Sequence, residues 1–351
     1  MHMINDNIRF ARVGNSEASL SEVKHFLEQS NLQLDKQIDL FVVAYNEHDH
    51  LIGCAGIYHN IVKCVAIDPN YRGENLTNYL INQIIDYAAD RGIFHLFLYT
   101  KPENISIFTA CSFYPLVVVP NLATLMENTP VGIKHYCQEL STYQHAGKTI
   151  GSIVMNANPF TLGHQYLVEF AASHCDWLHV FVVSENSSLF TFQERFKLVQ
   201  AGTAHLANVS VISSSEYIVS QATFPNYFLK EKADIEHANT GIDLLLFRNY
   251  IAPSLNITKR FVGTEPFSPI TDKYNQGMKY WLNQYETNSP KIELIEIERK
   301  KIRDVAVSAT AVRRLLSANR IAEIQELVPT TTWDFIEKNS IEIAERCYEN
   351  H

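Results

Sequence analysis

Asn158-Pro159-Phe160-Thr161-Leu162-Gly163-His164 is the stretch that decides how this chain is read. It lies between an apolar strand-like run, Thr149 to Met155, and a helix-like run, Gly163 to Ser173. A strand, a tight turn and a helix N-terminus in that order present backbone N–H groups and the positive end of a helix dipole to an anion. Pro159 stops the strand and Gly163 lets the backbone approach a ligand. His164 stands on the first helical turn, where its ring can donate to a phosphoryl oxygen. The segment reads as a nucleotide-holding loop, with Asn158, Phe160 and Gly163 as candidate nucleotide-binding residues and Thr161 and His164 as candidate catalytic ones.

A second motif answers it downstream, Val307-Ser308-Ala309-Thr310-Ala311-Val312-Arg313. Ser308 and Thr310 are suited to the amides of a helix start, and Arg313 lies on its first turn. Hydroxyls, amides and a guanidinium then converge on one anion. Each motif alone is a modest signal; both together, in a chain of alternating strands and helices, point to a nucleotide. Arg195, in Phe192-Gln193-Glu194-Arg195, either reaches the phosphates or makes a salt bridge on the helix surface. Glu265 follows a strand-like run and is placed to border the nucleotide. The basic run Arg299-Lys300-Lys301-Ile302-Arg303 is either a solvated edge or an extension of the phosphate site. His48-Asp49-His50 reads as a solvated hairpin turn, and no metal site of the protein's own is expected.

Composition bounds the alternatives. A chain of 351 residues is long for one core, so two domains are expected. Hydrophobic residues make up 46% and charged residues 19%, ordinary for a globular protein. The formal net charge of −9 argues against nonspecific nucleic-acid binding, so phosphate recognition must be local. No apolar run reaches the about 18 residues of a membrane span. Met1 to Arg12 lacks the basic-then-apolar pattern of a secretory signal. Six scattered cysteines without a C-x-x-C pair fit reduced thiols and a cytoplasmic location.

Along the first half, a strand (Ile8 to Val13) and a helix (Glu17 to Gln29) precede three apolar runs, Leu40 to Tyr45, Leu51 to Tyr58 and Ile61 to Ile67. Polar turns separate these runs, the signature of an antiparallel meander. The turn Asp68-Pro69-Asn70-Tyr71-Arg72-Gly73 leads into an amphipathic helix, Leu76 to Ala89, and a strand, Ile93 to Tyr99. Pro115 to Lys148 reads as a connector with helix around Val131 to Tyr143. The boundary is placed near residue 145, giving domains 1–145 and 146–351. Beyond it strands (Thr149 to Val154, Trp177 to Val183, Val209 to Ile212, Ile257 to Gly263, Ile292 to Ile297) alternate with helices. Such alternation predicts a doubly wound parallel sheet with helices on both faces, followed by a helical tail broken at Pro329.

The order of the first half, with Tyr71-Arg72-Gly73, resembles the GCN5-related N-acetyltransferase fold, a mixed α/β domain. In that family an Arg-Gly-x-Gly-x-Gly/Ala turn presents amides to the pyrophosphate of coenzyme A. Arg72 and Gly73 match, whereas Asn75 and Thr77 stand where later small residues belong. Glu103-Asn104-Ile105-Ser106-Ile107-Phe108 to Cys111-Ser112-Phe113-Tyr114 resembles the second acyl-CoA segment, with Ser112 replacing a usual Gly. The second half resembles the nucleotidyltransferase superfamily with Thr/His-x-Gly-His and Ile-Ser-Ser-Thr-x-x-Arg motifs. There Thr161 takes a common variant position and Ala309 replaces the second Ser.

The two halves together resemble the citrate (pro-3S)-lyase ligases. The likeness is densest at Tyr99-Thr100-Lys101-Pro102, Ala123 to Pro130 and Val154 to His164. It continues at Ala222-Thr223-Phe224-Pro225, Phe261 to Pro266 and Tyr274-Asn275-Gln276. The resemblance implies that ATP and acetate give acetyl-AMP and pyrophosphate, with Mg²⁺ accompanying the triphosphate. The acetyl group then passes to the thiol of a dephospho-coenzyme-A-like prosthetic group on the acyl-carrier subunit of citrate lyase. It also implies Thr161 and His164 at the α- and β-phosphates, and Ser308, Thr310 and Arg313 at the β- and γ-phosphates. Arg72, Gly73 and Asn104 are the candidates for the prosthetic group, unless the first domain only docks a protein. A plain nucleotidyltransferase joining AMP to a phosphorylated small molecule is the alternative; it leaves the first 145 residues without a role.

Overall fold

The computed structural model describes residues 8–35, 37–73, 75–184, 188–218, 227–229, 231–264, 269–303 and 305–349. Contacts group the chain into two compact units, Met1–Tyr136 with Gln221–Ile242, and Cys137–Ser220 with Asp243–His351.

The first unit is built on β1 (Arg9–Gly14), α1 (Glu17–Gln29), β2 (Leu40–Tyr45), β3 (Leu51–Tyr58), β4 (Ile61–Ile67), α2 (Leu76–Ala89), β5 (Phe97–Thr100), α3 (Ile105–Ala110), β6 (Tyr114–Val119) and β7 (Ala123–Glu127). The seven strands run in the order β1-β2-β3-β4-β5-β7-β6. All neighbours are antiparallel except β4 and β5, which are parallel and pair only at Ile61–Phe97 and Val62–Leu98. Beyond that point the two strands part, and Val65–Ile67 and Tyr99–Thr100 line a cavity. Leu76, Leu80, Ile81, Ile84 and Ala88 recur at helical spacing on α2 and bury against β2, β3 and β4. Gly53 makes this packing close, since a Cβ there would lie 3.0–3.3 Å from Ile67, Leu80 and Leu76 side-chain atoms.

The meander and both long helices follow the hydrophobic pattern, but two expectations needed correction. The run Ile93 to Tyr99 enters the sheet only at Phe97, with Phe94 74% exposed. The supposed connector after Pro115 contains the β6–β7 hairpin, turned at Asn121 with φ +62°. Glu127 sits at its buried end, accepting hydrogen bonds from Ile133 N–H at 3.2 Å and meeting His95 at 2.8 Å, and so resembles a loop residue in sequence.

The grouping also differs from a single cut at 145/146. Cys137 and Gln144 bond to Tyr250 O and Ser254 O of the second unit, which gathers the end of α4 (Gly132–Ser141) there. Tyr227, in turn, belongs with the first unit: Gln33 N–H donates to Tyr227 O at 2.9 Å, and the Tyr227 hydroxyl donates to Tyr99 O at 3.2 Å.

The second unit comprises β8 (Ile150–Met155), α5 (Leu162–Ser173), β9 (Trp177–Val182), α6 (Phe192–Thr203), β10 (Val209–Ser213) and the end of α7 (Lys232–Leu246). A π-helical turn (Phe247–Ile251) and α8 (Ala252–Ser254) extend α7. They are followed by β11 (Lys259–Gly263), α9 (Pro269–Lys279) with its π-helical extension (Tyr280–Gln284), and β12 (Glu293–Ile297). A two-stranded hairpin, β13 (Lys301–Ile302) and β14 (Val305–Ala306), precedes α10 (Ala309–Ser317), α11 (Thr330–Lys338) and α12 (Ser340–Glu349).

The five long strands are parallel in the order β10-β9-β8-β11-β12. The chain winds outward from β8 to β10, then returns to its other side at β11. That reversal opens a crevice at the carboxyl ends of β8 and β11, where doubly wound sheets bind ligands. Beneath it, Phe160 is fully buried among Val168, Ala171, Val199 and Phe261.

Gly202 on α6 is the position that seats Phe160, because a Cβ there would run into the Phe160 ring. Alanine would gain about 1 kcal/mol of helix propensity, but overpacking a filled core costs about 1–3 kcal/mol. Gly202→Ala is therefore expected to lower the urea midpoint with an unchanged m-value; an unchanged or higher midpoint would mean that the ring gives way.

Candidate functional site

The loop after β8 ends at Thr161, the N-cap of α5, in a reciprocal capping arrangement. The Thr161 hydroxyl accepts from His164 N–H at 3.4 Å, and His164 Nδ1 accepts from Thr161 N–H at 3.1 Å. A ring nitrogen that accepts a backbone N–H carries no proton, so the neutral imidazole holds its proton on Nε2. Burial, and secondarily the charge of Arg299, push the His164 pKa down to about 4. His164 therefore offers the cleft an uncharged N–H donor.

Ser308 is the N-cap of α10, its hydroxyl accepting from Ala311 N–H at 3.1 Å. Thr310 does not cap: its Oγ1 accepts from Arg313 Nη2 at 3.1 Å. Arg313 Nη1 donates to Asn158 O at 2.7 Å, tying α10 to the loop before α5. Gly163 sits at the contact between the two motifs, since a Cβ there would lie 2.8 Å from Val307 O. Its missing side chain thus admits the Val307 backbone as well as any ligand. Thr161, Gly163, His164, Ser308 and Thr310 line one cleft of about 230 Å³, so the structure brings these residues of the two motifs together.

Three expected nucleotide-binding residues have other work. Phe160 is buried in the core and presents no surface to a ligand. Asn158 is 8% exposed, and its Oδ1 accepts from Phe190 N–H at 3.1 Å, bracing the loop. Arg195 is neither a phosphate ligand on the cleft nor a surface ion pair. Fully buried, it donates to Phe190 O at 3.1 Å, Asn156 O at 2.7 Å and Val183 O at 2.8 Å. It gathers carbonyls at the ends of β8 and β9, which a helix-surface reading could not anticipate. Arg313 braces the cleft from behind its lining. Glu265 lies outside the described residues, as does Ala222 to Pro225.

The sequence reading left Arg299 unassigned within the basic run, yet its side chain lines the cleft. Its Nε donates to Thr264 O at 2.9 Å, and its Cγ would lie 3.6 Å from a Cβ on Gly263. The position two residues past β12, at the carboxyl edge of a parallel sheet, was the signal that could have found it.

A second cavity, about 410 Å³, lies within the first unit where β4 and β5 part. Arg72, Thr77 and Asn104 line it, the last bonding Thr100 Oγ1 at 3.1 Å. Gly73, with φ +91°, shapes the turn beside Arg72. Tyr227 and Phe228 complete its lining. At the far edge of this unit, His48-Asp49-His50 is an exposed hairpin turn, with Asp49 paired to Arg9 at 2.7 Å. Among the described residues no group of three or more metal-ligating side chains forms, and no helix is long and apolar enough to cross a membrane.

Comparison with known proteins assigns each half. Residues 150–336 match the family model described as citrate lyase ligase C-terminal domain, and residues 8–114 that described as acetyltransferase (GNAT) family. The chain is 46% identical over 329 residues to a citrate (pro-3S)-lyase ligase of Escherichia coli (strain K12), covering 93% of each. It is 44% identical over 331 residues to one from Haemophilus influenzae, covering 94% of this chain and 99% of that one. Over 119 residues it is 30% identical to a phosphopantetheine adenylyltransferase of Corynebacterium efficiens, 33% of this chain and 70% of the other.

The hydrogen bond to Nδ1 makes a testable claim about protonation. The folded pKa lies below the ordinary histidine value of about 6.5, so the unfolded chain takes up a proton first as pH falls. The stability contributed by neutral His164 is then present above about 6.5 and lost as pH drops toward about 4. In ¹⁵N-histidine spectra the His164 signals, assigned by their loss in His164→Gln, should show an Nε2-protonated ring with no titration between pH 6 and 8. A midpoint near 6.5 would refute the bonded tautomer.

Proposed function

The chain belongs to the citrate (pro-3S)-lyase ligase family, and from that premise we propose that it activates acetate with ATP and acetylates citrate lyase. In this reading acetate and ATP give acetyl-AMP and pyrophosphate. The acetyl group then moves to the thiol of a dephospho-coenzyme-A-like prosthetic group on the acyl-carrier subunit. The observation that carries it is the neutral Nε2–H of His164 sharing a cleft with the start of α10.

The chemistry asks little of the protein in proton transfer. A carboxylate oxygen forms a bond to the α-phosphorus, the bond to the bridging oxygen of the β-phosphate breaks, and pyrophosphate leaves with the electron pair. Negative charge grows on the α-phosphoryl and bridging oxygens, so fixed donors suffice for catalysis. His164 Nε2–H and the amides at the start of α5 are assigned to the α- and β-phosphates, with Thr161 holding the imidazole in register. Ser308, Thr310 and the amides of α10 are assigned to the β- and γ-phosphates, with Arg313 supplying charge from behind. A neutral histidine suits this site because it donates without having to lose a proton at physiological pH.

Magnesium fits as a companion of the triphosphate rather than as a resident ion. Magnesium sites of this kind use one or two carboxylates with substrate phosphates, and Glu298 is the carboxylate on the cleft wall. When bound, the metal would neutralise triphosphate charge.

We assign the first unit to the prosthetic group of the carrier. Its cavity lies where β4 and β5 stop pairing, so strand-edge amides and carbonyls line a slot that suits an extended, amide-bearing arm. Arg72 and Asn104 stand on its wall as candidate contacts. All six cysteines are free, which agrees with a reducing cytoplasm as the place of action.

The test is pyrophosphate release from ATP and acetate, with and without the deacetylated thiol form of citrate lyase. Acetate-dependent pyrophosphate is expected, with AMP released once the thiol protein is present. His164→Ala is expected to slow it by roughly 10²–10³-fold, as for loss of one preorganised oxyanion donor. Acetate-independent formation of a stable dinucleotide from a phosphorylated small molecule would replace this reading with the plain nucleotidyltransferase.

A further inference from the structure

The slot in the first unit narrows to an apex. β4 and β5 pair at Ile61–Phe97 and Val62–Leu98 and then part. The parting accompanies an irregularity in β4, where Cys64 takes φ +52° and the β3–β4 register shifts between Cys54 and Gly56. Tyr227 enters at this apex. Its hydroxyl donates to Tyr99 O at 3.2 Å, one residue past the last paired residue of β5. The backbone of Cys64, on the facing strand, lies beside the same hydroxyl. Gln33 N–H donates to Tyr227 O at 2.9 Å, so the residue is fastened by its backbone as well as its side chain. Tyr227 is buried, lines the cavity and meets the Phe228 ring edge-on at 5.2 Å.

Arg72 and Thr77 stand elsewhere on the cavity wall, where the turn after β4 enters α2. A guanidinium beside a helix start suits a phosphate. An arm held there by its phosphate runs back along Val65–Ile67, and its far end comes to Tyr227.

Resting on the assignment of the first unit to the arm of the carrier, we propose that Tyr227 is the stop of this slot. It admits the arm as a free thiol and excludes it as an acetyl thioester. A sulfur rests favourably against an aromatic ring. Acetylation adds a carbonyl and a methyl beyond that sulfur, where the phenol already stands. Moving the phenol aside breaks a buried hydrogen bond and leaves its partner unsatisfied, which resists displacement. Substrate and product of the ligase differ by this one group, so the slot would recruit the deacetylated carrier and not retain the acetylated one. Selection of this kind works by exclusion, not by added attraction. Tyr227 also lies outside residues 8–114, which match the acetyltransferase family, so a later segment of the chain supplies the stop.

The experiment titrates dephospho-coenzyme A and its S-acetyl derivative into full-length wild type, Tyr227→Phe and Tyr227→Leu under reducing conditions. Saturating ATP without acetate is present throughout, which keeps these adenine-bearing probes out of the nucleotide cleft. Wild type is expected to bind the thiol at least roughly tenfold tighter than the thioester, as a filled pocket discriminates against one extra small group. Tyr227→Phe keeps the ring and should keep the discrimination. Tyr227→Leu shortens the stop and should reduce the ratio to less than about threefold. In ¹³C-tyrosine spectra of wild type the Tyr227 signal, assigned by its loss in Tyr227→Phe, should shift when the thiol probe binds. That measurement does not depend on how Tyr227→Leu folds.

Equal or tighter binding of the thioester by wild type overturns the inference. So does a Tyr227 signal unmoved at saturating thiol probe, or an unchanged ratio in Tyr227→Leu. A wild type that binds neither probe at millimolar concentration overturns the assignment of the first unit to the arm, and this inference with it. Acetate-dependent pyrophosphate release, measured alongside, separates either result from failure of the ligase reading itself.

Discussion

The second unit depends on bringing two helix N-termini to one point. The starts of α5 and α10 each carry partial positive charge and unsatisfied N–H groups. Left alone they would repel, and each would seek its own anion. Gly163 permits the approach, because any side chain there would meet Val307 O. Arg313 fastens it from the far side through Asn158 O, although this adds a further positive charge. An arrangement that stacks positive ends and a guanidinium around a small cleft favours an anion in it. That is a physical reason for a polyphosphate site, independent of any relative.

The same constraint explains why the loop between β8 and α5 is so heavily braced. Arg195 gathers Asn156 O, Val183 O and Phe190 O, while Asn158 Oδ1 holds Phe190 N–H. These are buried charge-assisted bonds to backbone, each stronger than a neutral one. Their effect is to leave the loop little freedom to rearrange when charge develops on a phosphate. Preorganised donors lower a barrier because the reorganisation has been completed during folding. Arg195 thus serves the site without facing it.

Much of this was legible in the sequence, and the misses have physical causes. Both anion motifs could be read because helix-capping chemistry uses few residue types at fixed spacing, as at Thr161 and Ser308. The parallel sheet was legible from its apolar runs. The side chains of Asn158, Phe160 and Arg195 were misplaced because sequence shows adjacency to a motif, not which way a side chain turns. Phe160 turns inward onto Gly202, forty-two positions later, a contact with no local signature. The β6–β7 hairpin was hidden by buried Glu127, whose partners His95 and Ile133 lie 32 and 6 residues away. Arg299 looked like one basic residue among four, and only its place two residues past β12 separates it from the others.

In the first unit, the residues before α2 depart from the glycine pattern of the acetyltransferase turn. Asn75 takes the left-handed conformation, φ +60°, that a glycine would adopt, and asparagine tolerates it better than most residues. Its side chain makes no cap bond, so the first amides of α2 are not closed off by it. At the Tyr99 edge of the slot, by contrast, the Tyr227 hydroxyl takes up the carbonyl of Tyr99. A carbonyl already bonded to a phenol is less available to an incoming amide, so that edge is partly satisfied before any ligand arrives. On the reading proposed above this division is economical. The unit has to hold an arm by its phosphate and amides, while the acyl group is activated by the nucleotide chemistry of the second unit. On that reading the first unit would bind the arm, and the acetyltransferase's own chemistry would not be required of it.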